Sequence, residues 1–456
     1  LIQSLTYHNP ILLTVSQIPT VILRSISVAV AAPLVNGCYF TNWATYRAEP
    51  NKFTPETVPV GLCTHIFYAF AAVNVATFEA RMTDTWADEG LGGMQKINDI
   101  KKKQPGLKTI LSFGGWTESE SGIYSTVASD PAKRSKFVKS AWALANRFGF
   151  DGIDLDWEYP NAANKENFVN IIKELKTQSG GKLVTAAVSA GKTTIDAGYD
   201  VPKFAQYLDY LNVMSYDFHG FAETSIGHQA AYSETAGALA HWASKGMPKN
   251  KILMGIGAYG RGWFANTCAH GAAGSGPASA LPVTQTDGMA AYFELAKMGG
   301  KTIQSPEGPY LEVTLNGRKA CYGFDDKDAI LKKMALVKAQ GYGGAFTWAM
   351  DFDTKEFPLH KAIKQGLSGA TVPAPAPSPS ATTKKVPAPA PAPATTTKKS
   401  PVPAPAPVPA PSGKCTSGDM RANASPSKYE QCVNGSWVVR DCPPGTVYDP
   451  ATKNFK

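Results

Sequence analysis

The chain has 456 residues, more than one hydrophobic core usually serves, so more than one domain is expected. Hydrophobic residues make up 43% and charged residues 18%, the balance of a soluble folded protein. Of the net charge of +9, five units fall on Lys384, Lys385, Lys398, Lys399 and Lys414 and one on residues 415–456, leaving about +3 for the first 370 residues, which is no footprint for nucleic acid.

Residues 1–34 read as a leader. They are largely apolar from residue 11 and end in the small-residue run Ser27-Val-Ala-Val-Ala-Ala32, of the sort that precedes signal cleavage. Gln17, Pro19 and Arg24 interrupt the run, which argues against a stable membrane span. No Met occurs before Met82, so a partial or mistranslated secretory segment is expected, with no membrane association once it is removed.

From Gly37, short apolar runs alternate with helix-like stretches. The runs are Gly37–Phe40, His65–Val73, Thr109–Phe113, Gly152–Trp157, Leu183–Val188, Leu211–Met214, Ile252–Gly257 and Gly344–Trp348. Pro131–Phe148 and Lys165–Thr177 carry helical periodicity between them. Eight strand–helix repeats over residues 35–370 predict an α/β fold, a (β/α)8 barrel. The gap between the seventh and eighth runs is too long for one helix.

The fourth run holds the main chemical signal, Asp151-Gly-Ile-Asp-Leu-Asp-Trp-Glu-Tyr-Pro160. Asp154, Asp156 and Glu158 alternate with Ile153, Leu155 and Trp157, which on a strand sends all three acids to one face. Crowded carboxylates cannot all ionise cheaply, so they titrate as a coupled set with at least one pKa raised. Partial burial beside Trp157 and repulsion from Asp156 would keep Glu158 protonated near neutrality, as a general acid requires. A calcium loop beginning D-x-D needs Gly at its sixth position, where this chain has Tyr159. A divalent ion on the acids is the weaker reading, since no His lies nearby.

Residues 371–413 hold 14 of the 34 prolines, alternating with Ala and broken by Thr-Thr-Lys-Lys, and predict an extended spacer with no core. Residues 414–456 regain structure signals, with a hairpin turn at Val433-Asn-Gly-Ser436. Seven cysteines are too few for a disulfide-dominated fold, and Cys268 and Cys321 border a later insertion and could pair.

The decapeptide resembles the D-G-x-D-x-D-W-E signature of the family 18 glycoside hydrolases, the chitinases and their relatives. Leu111-Ser-Phe-Gly-Gly-Trp116, Met214-Ser-Tyr-Asp217, Tyr259-Gly-Arg261 and Gly343-Gly-Ala-Phe-Thr-Trp348 follow the family's order, so the resemblance covers about residues 36–366. It implies a retaining hydrolase of β-1,4-linked N-acetylglucosamine polymers, whose substrate acetamido group is the nucleophile. Glu158 is then the acid/base, Asp156 holds the acetamido group, Asp154 tunes Asp156, and Tyr216 and Asp217, closing the sixth strand, assist. Tyr39, Trp43, Phe70, Gly115, Trp116, Met214, Tyr259, Arg261 and Trp348 are expected to line the cleft. Where many relatives have Trp after His-Gly, this chain has Phe221.

The resemblance further implies a Cys38–Cys63 bridge and a small α+β insertion at about 262–324. Tyr429-Glu-Gln-Cys432, Asp441-Cys-Pro-Pro-Gly445 and Val447-Tyr-Asp449 resemble a peritrophin-type (family 14) chitin-binding module, with Tyr429 and Trp437 as candidate sugar platforms. That family uses more cysteines, so a truncated module is expected. The reading is thus a secreted monomer acting on chitin and chito-oligosaccharides, with neither metal nor organic cofactor.

Overall fold

Eight parallel strands close on themselves in a computed structural model that describes residues 32–220 and 223–368 and the short strands 371–372, 420–422, 428–433, 436–441, 448–449 and 454–455. The barrel strands are β1 (Val35–Thr41), β2 (His65–Val73), β3 (Lys108–Gly114), β4 (Gly152–Asp156), β5 (Leu183–Ser189), β6 (Tyr210–Met214), β7 (Ile252–Gly257) and β8 (Gly344–Trp348). Each pairs with the next, and β8 pairs with β1 through Gly344 opposite Val35. The α/β barrel expected from the alternation of apolar runs is therefore the fold.

Local chemistry explains the helices as well. Pro131–Phe148 starts where Asp130 accepts the N–H groups of Ala132 and Lys133 at 2.8 and 3.2 Å, with proline in the first turn, and stops at Gly149. Lys165–Thr177 buries Phe168, Ile171, Ile172 and Leu175 along one stripe against the barrel. Cys38–Cys63 links β1 to the segment before β2, and Cys268–Cys321 closes a loop over a separation of 53 residues.

The insertion begins earlier than expected, at Tyr259 in place of Gly262. After Gly257 the chain passes through Ala258 and continues into a new strand, Tyr259–Phe264, which pairs antiparallel with Arg318–Phe324. With Met289–Ala291, Tyr310–Leu315 and Lys301–Ile303 these form a five-stranded sheet, packed on the helix Tyr292–Met298. Its core is its own, centred on Phe264, Leu295, Leu311 and Tyr322. Cys268 and Cys321 thus lie inside the insertion and not at its borders.

Ala32–Pro33 pairs with Thr371–Val372, which adds a few residues to the barrel unit beyond the expected 35–370. Residues 379–456 form a separate unit. There Lys428–Val433 and Ser436–Asp441 pair antiparallel with Val433 opposite Ser436, the register a two-residue hairpin turn demands. Tyr429 and Trp437 sit on these two strands. Residues 1–31, the greater part of the expected leader, residues 373–413 and Phe221 lie outside the described residues.

Candidate active site

Strand β4 carries Asp154 and Asp156 into the barrel interior, while Ile153 and Leu155 face the helical layer, as alternation requires. Its ladder ends at Asp156, where Gly114 of β3 is the partner. Glu158 therefore lies beyond the strand, on the loop at the carboxyl mouth, and the three acids do not form one strand face. A Cβ on Gly114 would come within 2.0 Å of the Asp156 carbonyl, and its φ of +125° suits glycine alone. Gly114 thus lets β3 pass close to Asp156, while Gly115 next to it leaves room for the Phe70 ring.

Asp154 is fully buried and fully engaged. Its Oδ2 accepts from Tyr39 at 2.8 Å and Ser112 at 2.7 Å, and its Oδ1 from Thr185 at 2.6 Å and Asn212 at 3.3 Å. Ser112 and Thr185 are its register partners on β3 and β5. Burial pushes the Asp154 carboxyl up, and these donors oppose the shift.

Asp156, one layer higher, has Oδ1 buried without a partner. Burial, then the neighbouring Glu158 and Asp154, hold its carboxyl well above the usual range. Glu158 is raised to about 7, first by burial and then by the Asp217 carboxylate, with a bond from Tyr159 opposing. The expected influence of Trp157 on Glu158 is not what the geometry gives. That indole turns outward, with its ring 6.1 Å from Tyr124 and 6.3 Å from Phe168, in the helical layer.

Tyr216 and Asp217 lie just past the end of β6, which stops at Met214. Tyr216 is close enough to Asp156 and Glu158 for their charges to raise its hydroxyl pKa, after burial. Asp217 has a φ of 57°, in the left-handed region an Asp tolerates, and its Oδ1 accepts from Arg261 Nε at 2.7 Å. Gln229 fixes the pair by accepting the Asp217 N–H at 3.2 Å and donating to the Tyr259 carbonyl at 3.0 Å.

Aromatic rings surround the acids. Trp348, the last residue of β8, lies 5.6 Å from Phe70 at 22° and 6.2 Å from Trp43. Trp43 is 41% exposed and Trp116 is 56% exposed, and both line a groove of about 500 Å³ with Phe70, Gly115, Arg81 and Glu118. A larger cavity, about 640 Å³, lies among residues 49–57 and 351–357 and contains none of the three acids. Tyr39, expected to line the cleft, is instead 1% exposed beneath it. Met214 and Tyr259 are also buried, as packing under the mouth.

Tyr429 and Trp437 belong to the other unit. Among the described residues no His, Cys, Asp and Glu group has the arrangement to hold a metal ion. Asn212, Thr185, Gln229 and Ser119 were not legible as site residues, because each reaches the acids from a different strand or loop.

A match to the glycosyl hydrolases family 18 spans residues 35–353, which include Asp154, Asp156, Glu158, Asp217 and the rings Trp43, Phe70, Trp116 and Trp348. The chain belongs to glycosyl hydrolase family 18. The family match together with endochitinase relatives at 38% identity supports a chitinase-type glycoside hydrolase, and residues 413–454 match the chitin-binding peritrophin-A domain. A probable endochitinase of Caenorhabditis elegans is 38% identical over 396 residues, covering 77% of this chain and 63% of that protein. The Brugia malayi endochitinase is 38% identical over 387 residues, covering 76% of each. The crystal structure of an immunomodulatory active chitinase from Trichuris suis superposes with a TM-score of 0.68 at 35% identity, covering 73% of this chain and all of that one.

Proposed function

We propose that this family 18 chain is a secreted, retaining chitinase that hydrolyses β-1,4-N-acetylglucosamine linkages with help from the substrate's own acetamido group. The observation that carries the reading is the contrast between two adjacent layers. Asp154 has four donors, whereas Asp156 Oδ1 is buried with none. A buried carboxyl oxygen without a donor costs free energy unless a ligand supplies one. The N–H of an acetamido group is such a donor.

Glu158, raised to about 7, delivers its proton to the glycosidic oxygen as the bond to the anomeric carbon breaks. The acetamido carbonyl oxygen attacks that carbon from the opposite face, giving an oxazolinium ion. Asp156 holds the acetamido N–H, and Tyr216 donates to its carbonyl side. Glu158, now ionised, takes a proton from water, which attacks the same carbon. Two inversions give retention. Trp348 supports the reacting sugar through its apolar face, in keeping with its place among Phe70, Tyr39 and Trp43. The peritrophin-A match at the far end of the chain supports an insoluble, extracellular chitin substrate.

Two rivals are a lectin that binds chito-oligosaccharides without cleaving them and an endo-glycosidase acting on N-glycan cores. Purified protein assayed on chitotetraose and on a high-mannose glycoprotein separates them. Cleavage of chitotetraose with retention, and none of the glycoprotein, is expected; binding without cleavage would overturn the reading.

A further inference from the structure

The short helical turn Trp116–Glu120 follows β3 after Gly115 and carries three residues with separate tasks beside the acids. Trp116 faces the groove. Glu118 anchors the turn: its Oε1 accepts the N–H of Val73, at the end of β2, at 2.5 Å, and its Oε2 accepts the Tyr124 hydroxyl at 2.9 Å. Ser119 is 8% exposed, and its Oγ accepts the backbone N–H of Glu158 at 2.9 Å. The same hydroxyl points at the Asp156 carbonyl, 3.4 Å away, which also accepts the Gly115 N–H at 2.9 Å.

These contacts fall where the sheet gives no support. The β4 ladder stops at Asp156, so the main chain at Glu158 has no strand partner, and its N–H is taken by a side chain instead. Tyr124, bonded to Glu118, packs its ring against Trp157. The turn and the helix after it therefore grip both Trp157 and Glu158. We propose that Ser119 is a positioning residue for hydrolysis, holding the main chain of Glu158, and that Glu118 anchors the turn that carries it.

This inference rests on Glu158 being the acid/base, and it assigns a task to two side chains that the proposed chemistry does not use. Small displacements of a reacting group cost rate steeply, so a hydroxyl that fixes the Glu158 backbone acts on turnover more than on binding. Glu118 fixes the turn that carries that hydroxyl through two bonds, from the Val73 N–H and from the Tyr124 hydroxyl.

The test compares Ser119→Thr with Ser119→Val, which match in shape and differ in the hydroxyl, on chitotetraose. The Thr variant should keep most of the wild-type kcat, and the Val variant should fall about tenfold below it, the worth of one good hydrogen bond, at unchanged KM. The alkaline limb of the Val variant's pH profile should also shift. Ser119→Ala, smaller than serine and free of crowding, should lose kcat similarly. Equal kcat and pH profiles for Thr and Val, or a wild-type profile for Ala, with differences only in melting temperature, would overturn the inference. Glu158→Gln is run alongside: wild-type turnover there would overturn the acid/base assignment itself, whereas its silence with equal Thr and Val variants defeats the Ser119 role alone.

Discussion

Tyr39 and Asp154, 115 residues apart in the chain, meet across the barrel interior with the phenol donating to Oδ2 at 2.8 Å. The same phenolic oxygen accepts from Asn212 at 3.0 Å, so one hydroxyl serves two buried partners. Tyr39→Phe would leave both short of a bond. The variant should lose roughly 1–3 kcal/mol of stability, with kcat reduced several-fold and KM unchanged. Denaturant melts and steady-state kinetics check this; a raised KM at unaltered stability would mean that the ring touches sugar.

Glu158→Gln keeps the shape of the side chain and removes its proton transfer. Hydrolysis of chitotetraose should fall by roughly 10²–10⁴, the usual contribution of a positioned acid/base, while oligosaccharide binding by calorimetry persists. Turnover near wild type would be incompatible with the proposed mechanism.

The pH dependence follows from the Glu158 carboxyl at about 7. The acid acts when protonated, so kcat/KM should hold on the acidic side and decline as pH rises through about 7. A profile still flat at pH 9 would assign the proton to another group.

Stability should show the same group with its own sign. Folding raises the Glu158 carboxyl from 4.5 to about 7, so the native state holds a proton that the unfolded chain releases in that window. Its contribution is therefore lost as pH rises from 4.5 to 7, and Glu158→Gln escapes the loss. The variant should match wild type near pH 4 and exceed it at pH 8 by roughly 1–3 kcal/mol, allowing for solvent contact. Melting curves at the two pH values decide it.

Removal of residues 373–456 should leave chitotetraose kinetics unchanged and weaken retention on insoluble chitin. Co-sedimentation of the full and shortened chains with chitin beads measures this. Equal retention would mean that the peritrophin-A segment adds no affinity.

Much of the barrel was legible because its strands are continuous apolar runs and its helices carry their own punctuation. Asp130-Pro131 and Gly149 bound one helix to the residue. What the chain order hides is stagger between strands. That Thr185 and Asn212 share Asp154 follows from how β4, β5 and β6 align, and no single segment records that alignment. Nor does alternation reveal where a ladder stops: Glu158 continues the pattern of its neighbours, yet pairing ends two residues earlier. The depth of Tyr39 was hidden for a related reason. A tyrosine near a strand end reads as a sugar contact, whereas two buried polar groups claim its hydroxyl.

The antiparallel sheet between β7 and β8 grows from Tyr259, two residues beyond the stave Ile252–Gly257, and returns at Phe324. It meets the mouth through Arg261, which grips Asp217, and none of its strands carries Asp154, Asp156 or Glu158. Through Arg261 the insertion thus sets the place of the Asp217 carboxylate, whose charge helps keep the proton on Glu158. A wall that carries none of the three acids still has a hand on their proton.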